Sequence, residues 1–249
     1  MQWEDEAIVL AARRHGEGAL VVQLLTAAHG RHAGLVRGGQ APKLRMVYQI
    51  GNRLQVVWKA RLAEHLGNLT GELLHGHAAR LMDDPPRLAC LAAIAAMAEA
   101  ALPEREPHPR VFAATAALLV ALDSDRGWAA GYVEWELALL AELGFGLDLS
   151  RCAATGERAA LVYVSPKSGQ AVSAAAGEPY RDRLLPLPAF LLPDGGAASL
   201  DDVLQGLRLT DHFFEHRVFA PANHRMPPAR ARFVDVLRRI ATVPHGPAS

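Results

Sequence analysis

The chain has 249 residues, of which 51% are hydrophobic, and its formal net charge is zero. This length and apolar content allow one or two domains with buried cores, and they exclude a disordered or fibrous protein. The charge is unevenly distributed: 10 Lys and Arg stand against 6 Asp and Glu in residues 1–80, 9 against 17 in 81–207, and 7 against 3 in 208–249. The charge of each segment is therefore more informative than the net charge.

Two further features limit the class of protein. The cysteines, Cys90 and Cys152, are too few for a disulfide framework or a four-thiolate metal site. The start of the chain, Met1–Glu6, is acidic, unlike a signal peptide, and the longest apolar stretch, Leu88–Leu102, is too short to span a bilayer. Together they predict a soluble cytoplasmic protein that does not enter the membrane.

The first part of the chain has the pattern of short strands separated by glycine-containing turns, which predicts a small antiparallel barrel or meander. The predicted strands are Ala7–Ala11, Ala19–Thr26, Arg31–Arg37 and Arg53–Leu62. In the last of these, the even positions are apolar and the odd positions include Arg53, Lys59 and Arg61. Because side chains alternate across a strand, one face of it is predicted to be buried and the other to be cationic.

Helical patterns begin after residue 80. The first three predicted helices cover about 83–102, opened by Asp83-Asp84-Pro85-Pro86, about 110–122, and about 127–143, capped by Gly144. Three more are predicted near the end of the chain: one starts at a capping box at Ser199, one is capped by Thr210, and the last starts at Pro227-Pro228. Frequent Gly and Pro in residues 148–196 indicate an irregular insert, with one strand-like segment at 160–164. The fold class is therefore α+β and multi-domain, with a barrel at 1–80 and a helical domain at 81–249 that contains the insert.

The strongest functional signal is a run of cations without counter-charge between Gly30 and Ala63. It contains seven cations and no acid: Arg31, Arg37, Lys43, Arg45, Arg53, Lys59 and Arg61. Neutralised phosphates release condensed counterions, so this pattern favours a nucleic-acid surface over a merely solvated sheet face. Two aromatic residues lie nearby: Trp58 shares the apolar face and is expected in the core, while Tyr48 could belong to the core or to a stacking platform.

Catalytic motifs do not stand out. The chain contains no phosphate-binding loop, dinucleotide fingerprint or nucleophile elbow. His75-Gly76-His77 is interpreted as a surface loop, Cys90 as a core residue, and Cys152 as a packed thiol, with a catalytic role next to Arg151 as the alternative. Three carboxylates of the third helix are assigned to its solvated face: Glu134, Glu136 and Glu142. No catalytic residue, metal ligand or cofactor is therefore predicted.

Several segments, taken in order and with their spacing, resemble bacterial RecO proteins. They are Ala7-Ile8-Val9-Leu10, Gly16-Glu17, Leu24-Leu25-Thr26 with His29-Gly30, Gly34-Leu35-Val36-Arg37-Gly38-Gly39, Gln49-Ile50-Gly51-Asn52 followed by Leu54, Val56 and Trp58, Trp135-Glu136 through Leu139-Leu140 to Leu143-Gly144-Phe145, and Leu147-Asp148-Leu149 with Cys152. The resemblance implies an N-terminal OB-fold, a helical domain and an embedded ribbon-like insert. It also implies a nucleoid-associated role in recombinational gap repair: binding single- and double-stranded DNA, annealing strands, engaging RecR and the single-stranded DNA-binding protein, and indirectly loading RecA.

This chain departs from the family in its insert. Many relatives carry two Cys-x-x-Cys pairs that bind zinc there, but Cys152 is followed by Ala153-Ala154-Thr155, and the second pair's place is taken by Ser173–Ala176. One cysteine cannot supply a tetrahedral thiolate site, so we predict a zinc-ribbon-like insert without metal. Packing would then hold it together, through Leu161, Tyr163, Leu185 and Leu187.

In the role that the resemblance implies, the helical part would offer an apolar cleft, with arginines nearby, to the acidic and apolar C-terminal tail of the single-stranded DNA-binding protein. The candidate cations lie on the last two helices: Arg217, Arg230 and Arg232. Two other hypotheses remain open from the sequence, namely an OB-fold RNA-binding factor, which would use the same cations, and an enzyme that depends on Cys152.

Overall fold

The computed structural model describes residues 1–62, 64–124 and 127–242. The described residues form two compact units, one containing positions 1–124 and 227–230 and the other positions 127–226 and 231–242. The first unit contains the strands that carry the cationic run, and the second contains the insert.

Five strands of the first unit form a closed barrel in the order β1-β2-β3-β5-β4. Neighbouring strands are antiparallel except β3 and β5, which are parallel and joined by a single pairing, Leu35 with Asn68. The bounds are β1 Gln2–His15, β2 Ala19–Thr26, β3 Gly30–Val36, β4 Arg53–Lys59 and β5 Asn68–His75. β1 is long enough to pair with β4 over Gln2–Ile8 and with β2 over Ala7–His15, and an irregularity between Val9 and Ala11 interrupts the pairing with β2.

Burial along β4 confirms the alternation predicted from the sequence. Leu54, Val56 and Trp58 are buried in the barrel core, while Lys59 is exposed. The predicted extension of this strand to Leu62 is wrong, because β4 ends at Lys59 and Leu62 is 46% exposed. A single strand's pattern could not show where pairing with its neighbours stops.

The first unit also contains four helices: α1 Pro42–Val47, α2 His77–Arg80, α3 Pro85–Ala101 and α4 Pro109–Ser124. The predicted opening of α3 is confirmed, since the Asp84 side chain accepts a hydrogen bond from the backbone N–H of Arg87. Among the side-chain contacts between α3 and β1 is an ion pair, with 2.7 Å from Glu99 Oε1 to Arg13 Nη2. The short helices α1 and α2 and the strand β5 were not predicted.

The second unit combines helices with a small sheet. Its elements are α5 Trp128–Glu142, β6 Leu161–Val164, β7 Ala171–Ser173, α6 Ala174–Gly177, β8 Leu185–Pro186 and α7 Leu200–Phe213, together with most of the last described helix, α8 Pro228–Thr242. The predicted caps are confirmed at Gly144, which has a φ of 84° just after α5, and at Ser199, which forms a capping box with Asp202. None of the described helices has the length and apolarity that would let it cross a membrane.

The insert is more regular than the sequence predicted. β6, β7 and β8 form a three-stranded sheet in the order β7-β6-β8. Of the residues expected to pack there, Leu161 and Leu187 are buried, whereas Tyr163 and Leu185 are half-buried. The Sγ atom of Cys152 accepts a hydrogen bond from the backbone N–H of Ser173 at 3.3 Å, so the segment that begins at Cys152 and the segment that begins at Ser173 meet in the insert.

Three local predictions are wrong. Thr210 does not cap a helix: it lies inside α7, which continues to Phe213 and passes into a π-helical segment, Phe214–Phe219. Glu136 is not solvated: it is fully buried, and its Oε2 accepts a hydrogen bond from the Thr210 hydroxyl. His77 does not lie in a surface loop either, because it is the first residue of α2 and is fully buried.

Candidate nucleic-acid interface

Three of the predicted cations lie at one end of the barrel, where β3 and β4 finish and β5 begins. Asn68 pairs with Leu35 on one side and with Lys59 on the other. Because neighbouring strands are about 5 Å apart, this three-strand rim is about 10 Å wide at the backbone. Arg37, just after β3, donates a hydrogen bond from Nε to Asn68 Oδ1 at 3.0 Å, and Arg61 follows the end of β4 by two residues. The rim therefore collects Arg37, Lys59 and Arg61.

The other two exposed cations are on α1, beside a pocket of about 380 Å³. Lys43 and Arg45 flank Leu44, and Leu44 contributes to the pocket wall. The pocket follows the line along which β3 meets β5, and Arg37 is also part of its lining. The full lining is Leu35, Val36, Arg37, Leu44, Tyr48, Asn68, Leu69, Thr70 and Gly71.

These five side chains form what we call the basic surface: Arg37, Lys43, Arg45, Lys59 and Arg61. All five are exposed. None has an acidic group within ion-pair distance among the residues at 1–62, 64–124 and 127–242. Uncompensated exposed cations attract anions and retain their charge for a phosphate backbone.

The remaining two cations of the predicted run are engaged within the protein. Arg31 donates from Nε to the carbonyl of Leu102 at 2.8 Å and from Nη1 to Glu104 at 3.2 Å, and only 15% of its side chain is exposed. Arg53 forms an ion pair with Glu6. Unlike the five cations of the basic surface, these two have acidic partners, and both acids lie outside the acid-free run that suggested the site. That Arg31 and Arg53 contact DNA stays a prediction.

The aromatic residues of the run belong to the core. Tyr48 and Trp58 are both buried, and burial raises the pKa of Tyr48 to about 12. A more accessible stack was missed by the sequence analysis: Trp3 lies against His29 with 4.2 Å between ring centroids, and His29 is 34% exposed. The position of Trp3 in this stack could have been predicted from the length of β1, because a strand that starts at Gln2 places Trp3 opposite Trp58.

The cations expected to bind a partner's tail differ in accessibility. Arg217 and Arg232 are exposed, and Arg217 donates a hydrogen bond to the carbonyl of Lys167. Arg230 is 2% exposed and engaged in contacts, so its inclusion is corrected: a buried guanidinium does not offer its donors to a docking peptide. The sequence could not distinguish neighbouring positions of one helix by burial.

Cys152 is buried as well, which argues against a freely accessible nucleophile. Hydrogen bonds from Ser173 and then Thr155 lower its pKa to about 6, although burial opposes that shift. A low pKa is one requirement of a reactive thiol, and access to a substrate is another.

A small barrel whose end carries exposed cations without acidic partners is a feature typical of nucleic-acid-binding proteins. Comparison with known proteins makes that class specific. Residues 1–77 match the family model described as "Recombination protein O N terminal", and residues 82–226 match "Recombination protein O C terminal".

Relatives match along nearly the whole chain. The protein is 54% identical over 244 residues to the DNA repair protein RecO of Rhodospirillum centenum, with 97% of each chain covered. It is 53% identical over 245 residues to that of Rhodospirillum rubrum, covering 96% of this chain and 97% of the relative, and 51% identical over 237 residues to that of Phenylobacterium zucineum, covering 95% and 98%. The chain belongs to the RecO family of DNA repair proteins, so the resemblance predicted from the sequence is confirmed.

Proposed function

We propose that this protein is a recombination mediator without turnover. It would bind single- and double-stranded DNA, promote annealing of complementary strands, and help RecR to load RecA onto DNA coated by the single-stranded DNA-binding protein. The observation that carries the proposal is the basic surface, with its five exposed cations and no acidic partner among the described residues. Membership of a family of DNA repair proteins also supports a role in DNA binding.

Annealing follows from simple electrostatics. Two DNA strands repel each other through their phosphates, and a surface that neutralises several phosphates lowers the barrier to their approach. Arg37, Lys59 and Arg61 would hold one strand at the rim of the barrel, while Lys43 and Arg45 extend the charge along α1. The bases would remain available for pairing, because the large aromatic residues near these cations, Tyr48 and Trp58, are buried.

We further propose that the barrel is an OB-fold and forms a DNA-binding domain at residues 1–80, followed by a helical domain at 81–249 with an insert at about 148–196. The strand order β1-β2-β3-β5-β4 and a helix between β3 and β4 support this assignment. A pocket where β3 meets β5, together with the exposed cations around it, is compatible with a nucleic-acid ligand at that position.

Partner binding would use the helical domain. We propose that Arg217 and Arg232 contact the acidic C-terminal tail of the single-stranded DNA-binding protein, and that RecR is a second partner. Exposed cations at the rim of such a contact chiefly accelerate association, since they steer the acidic tail. Charge reversal at both positions is expected to slow binding of the isolated tail peptide; an unchanged association rate would remove them from the site.

Two alternatives use specific features of the chain. An RNA-binding factor would present the same basic surface, and competition between RNA and DNA oligomers of one sequence would favour it if RNA competed better. An enzyme would use Cys152, whose lowered pKa favours the thiolate. Failure of iodoacetamide to label Cys152 in the folded protein would end that alternative.

The proposal is tested by annealing of two complementary oligonucleotides labelled with a fluorescent donor and acceptor. We expect acceleration by the wild-type protein and little acceleration by the triple variant Arg37→Gln, Lys59→Gln, Arg61→Gln. A matched triple variant removes three exposed cations elsewhere: Arg14→Gln, Arg158→Gln and Arg183→Gln. Equal annealing by the two variants would show that net charge, not the basic surface, is responsible, and no acceleration by the wild type would refute the annealing function.

A further inference from the structure

Three side chains outside the basic surface converge within the first unit. His75 is the last residue of β5, His77 is the first residue of α2, and Asp123 lies in the last turn of α4. Asp123 Oδ2 is 2.8 Å from His75 Nε2 and 3.0 Å from His77 Nδ1. One potential ligand atom from each residue lies within 4.8 Å of the others. From this convergence we propose a binding site for a divalent transition-metal ion, with Zn²⁺ as its most suitable occupant.

The donor set fits such an ion. Two imidazole nitrogens and one carboxylate oxygen are ligands that Zn²⁺ accepts at about 2.0–2.1 Å, usually in tetrahedral geometry. At that bond length the ligand atoms of a tetrahedron are about 3.4 Å apart. The observed distances of 2.8 and 3.0 Å therefore require the side chains to separate by about half an ångström, within the reach of small torsional changes.

Burial provides an independent reason to expect a ligand. His77 is fully buried, and neither of its ring nitrogens has an aligned hydrogen-bond partner, although Nδ1 lies 3.0 Å from Asp123 Oδ2. Asp123 Oδ1 is buried and also lacks a hydrogen-bond partner. Buried polar atoms without partners are unfavourable, and a metal ion would engage the ring of His77 and the carboxylate together.

Solvent can reach one side of the cluster, because 35% of the His75 side chain is exposed. Three protein ligands would leave a fourth position for water there. Two arginines oppose cation binding: Arg80 Nη1 is 3.9 Å from Asp123 Oδ2, and Arg53 acts on His77 through its charge. Arg80 is 62% exposed and free to turn toward solvent, while Glu6 compensates Arg53.

The consequence of metal binding would be structural. His75 and Asp123 are 48 residues apart in the sequence, so an ion bound by both would cross-link the end of β5 to the end of α4. A bond that closes a loop of this length restricts the unfolded chain, and an ion bound only by the folded form stabilises it. The proposed site does not involve the insert, where we still predict that no zinc is bound. It also differs from the earlier prediction that the chain has no metal ligands.

The test uses the full chain after treatment with EDTA and dialysis. Calorimetric titration with Zn²⁺ is expected to show one site per chain, and Co²⁺ is expected to give the intense visible absorption of a four-coordinate ion. His75→Asn and Asp123→Asn should each weaken Zn²⁺ at least about tenfold, as loss of a ligand does. His216→Asn is the matched control, since His216 is an exposed histidine outside the cluster, and it should bind as the wild type does.

Thermal unfolding provides a second measurement. Saturating Zn²⁺ should raise the Tm of the wild type and of His216→Asn but not that of His75→Asn. If the wild type binds Zn²⁺ no better than His75→Asn, the cluster is a hydrogen-bonded His-Asp-His contact and the metal proposal is wrong. DNA annealing by the EDTA-treated protein separates this outcome from a failure of the proposed function, because it does not depend on the cluster.

Discussion

Removing the three rim cations should change the salt dependence of DNA binding by a calculable amount. Each phosphate neutralised on single-stranded DNA contributes about 0.7 to the slope of log affinity against log salt. If all five cations of the basic surface contact phosphates, the slope is about −3.5, and raising salt from about 50 to about 200 mM weakens binding roughly 100-fold. The variant Arg37→Gln, Lys59→Gln, Arg61→Gln retains two contacts, so its slope falls to about −1.4 and the same change in salt weakens it only about sevenfold.

Fluorescence anisotropy of a labelled single-stranded oligomer, measured across a salt series, would give both slopes. Arg53→Gln is the informative control within the barrel, because Glu6 already compensates this cation. It should leave the slope near the wild-type value. A rim variant with an unchanged slope, or an Arg53 variant with a slope as shallow as that of the rim variant, would refute the assignment of the phosphate contacts.

Three further predictions concern stability, measured by urea unfolding. Thr210→Val should destabilise the protein by about 1–3 kcal/mol, because the buried Glu136 loses the hydroxyl that donates to it. Gly67→Ala should destabilise it by roughly 2 kcal/mol or more, because Gly67 has a φ of 65° and an added Cβ would lie 2.4 Å from the Trp58 ring. Burial lowers the pKa of His32 to about 4, so between about pH 6.5 and 4 the unfolded chain binds a proton that the folded chain does not. The free energy of unfolding should therefore fall as the pH drops through this range, and His32→Leu should reduce this dependence of stability on pH.

Conservative variants serve as controls for these predictions. Thr210→Ser keeps the hydroxyl and should be nearly as stable as the wild type. Gly16→Ala has a similarly positive φ of 56° but no atom within 4 Å of the added Cβ, so it isolates backbone strain from the clash with Trp58. For His32, wild type and His32→Leu are compared at matched pH values; parallel loss of stability on acidification in both would contradict the assignment to this histidine.

The sequence predicted those features that depend on local patterns. Alternation along β4, the Asp84 and Ser199 caps and the start of α8 at Pro228 follow from properties of a few adjacent residues. The strand β5 escaped prediction because its outward positions include Leu73 and Leu74, which are 48% and 53% exposed and hide the alternation.

The site was predicted in part for a similar reason. A run of seven cations can be counted in the sequence, but the acids that pair with Arg31 and Arg53 are distant in the chain or on another strand. In the same way, Asp123 approaches His75 and His77 only through the fold, 48 and 46 positions away in sequence. Long-range pairing of charges is the information that a linear pattern lacks.

The closure of the barrel between β3 and β5 has a mechanical consequence. The backbone pairing across this line is limited to Leu35 with Asn68, and two further hydrogen bonds support it, one from the backbone N–H of Leu35 to the carbonyl of Gly67 and one from Arg37 Nε to the Asn68 side chain. The other strand pairs share between seven and eight paired positions each. This line is therefore the part of the barrel wall with the fewest strand pairings, and we expect it to open before the other strand pairs do; the pocket and Arg37 both lie on it.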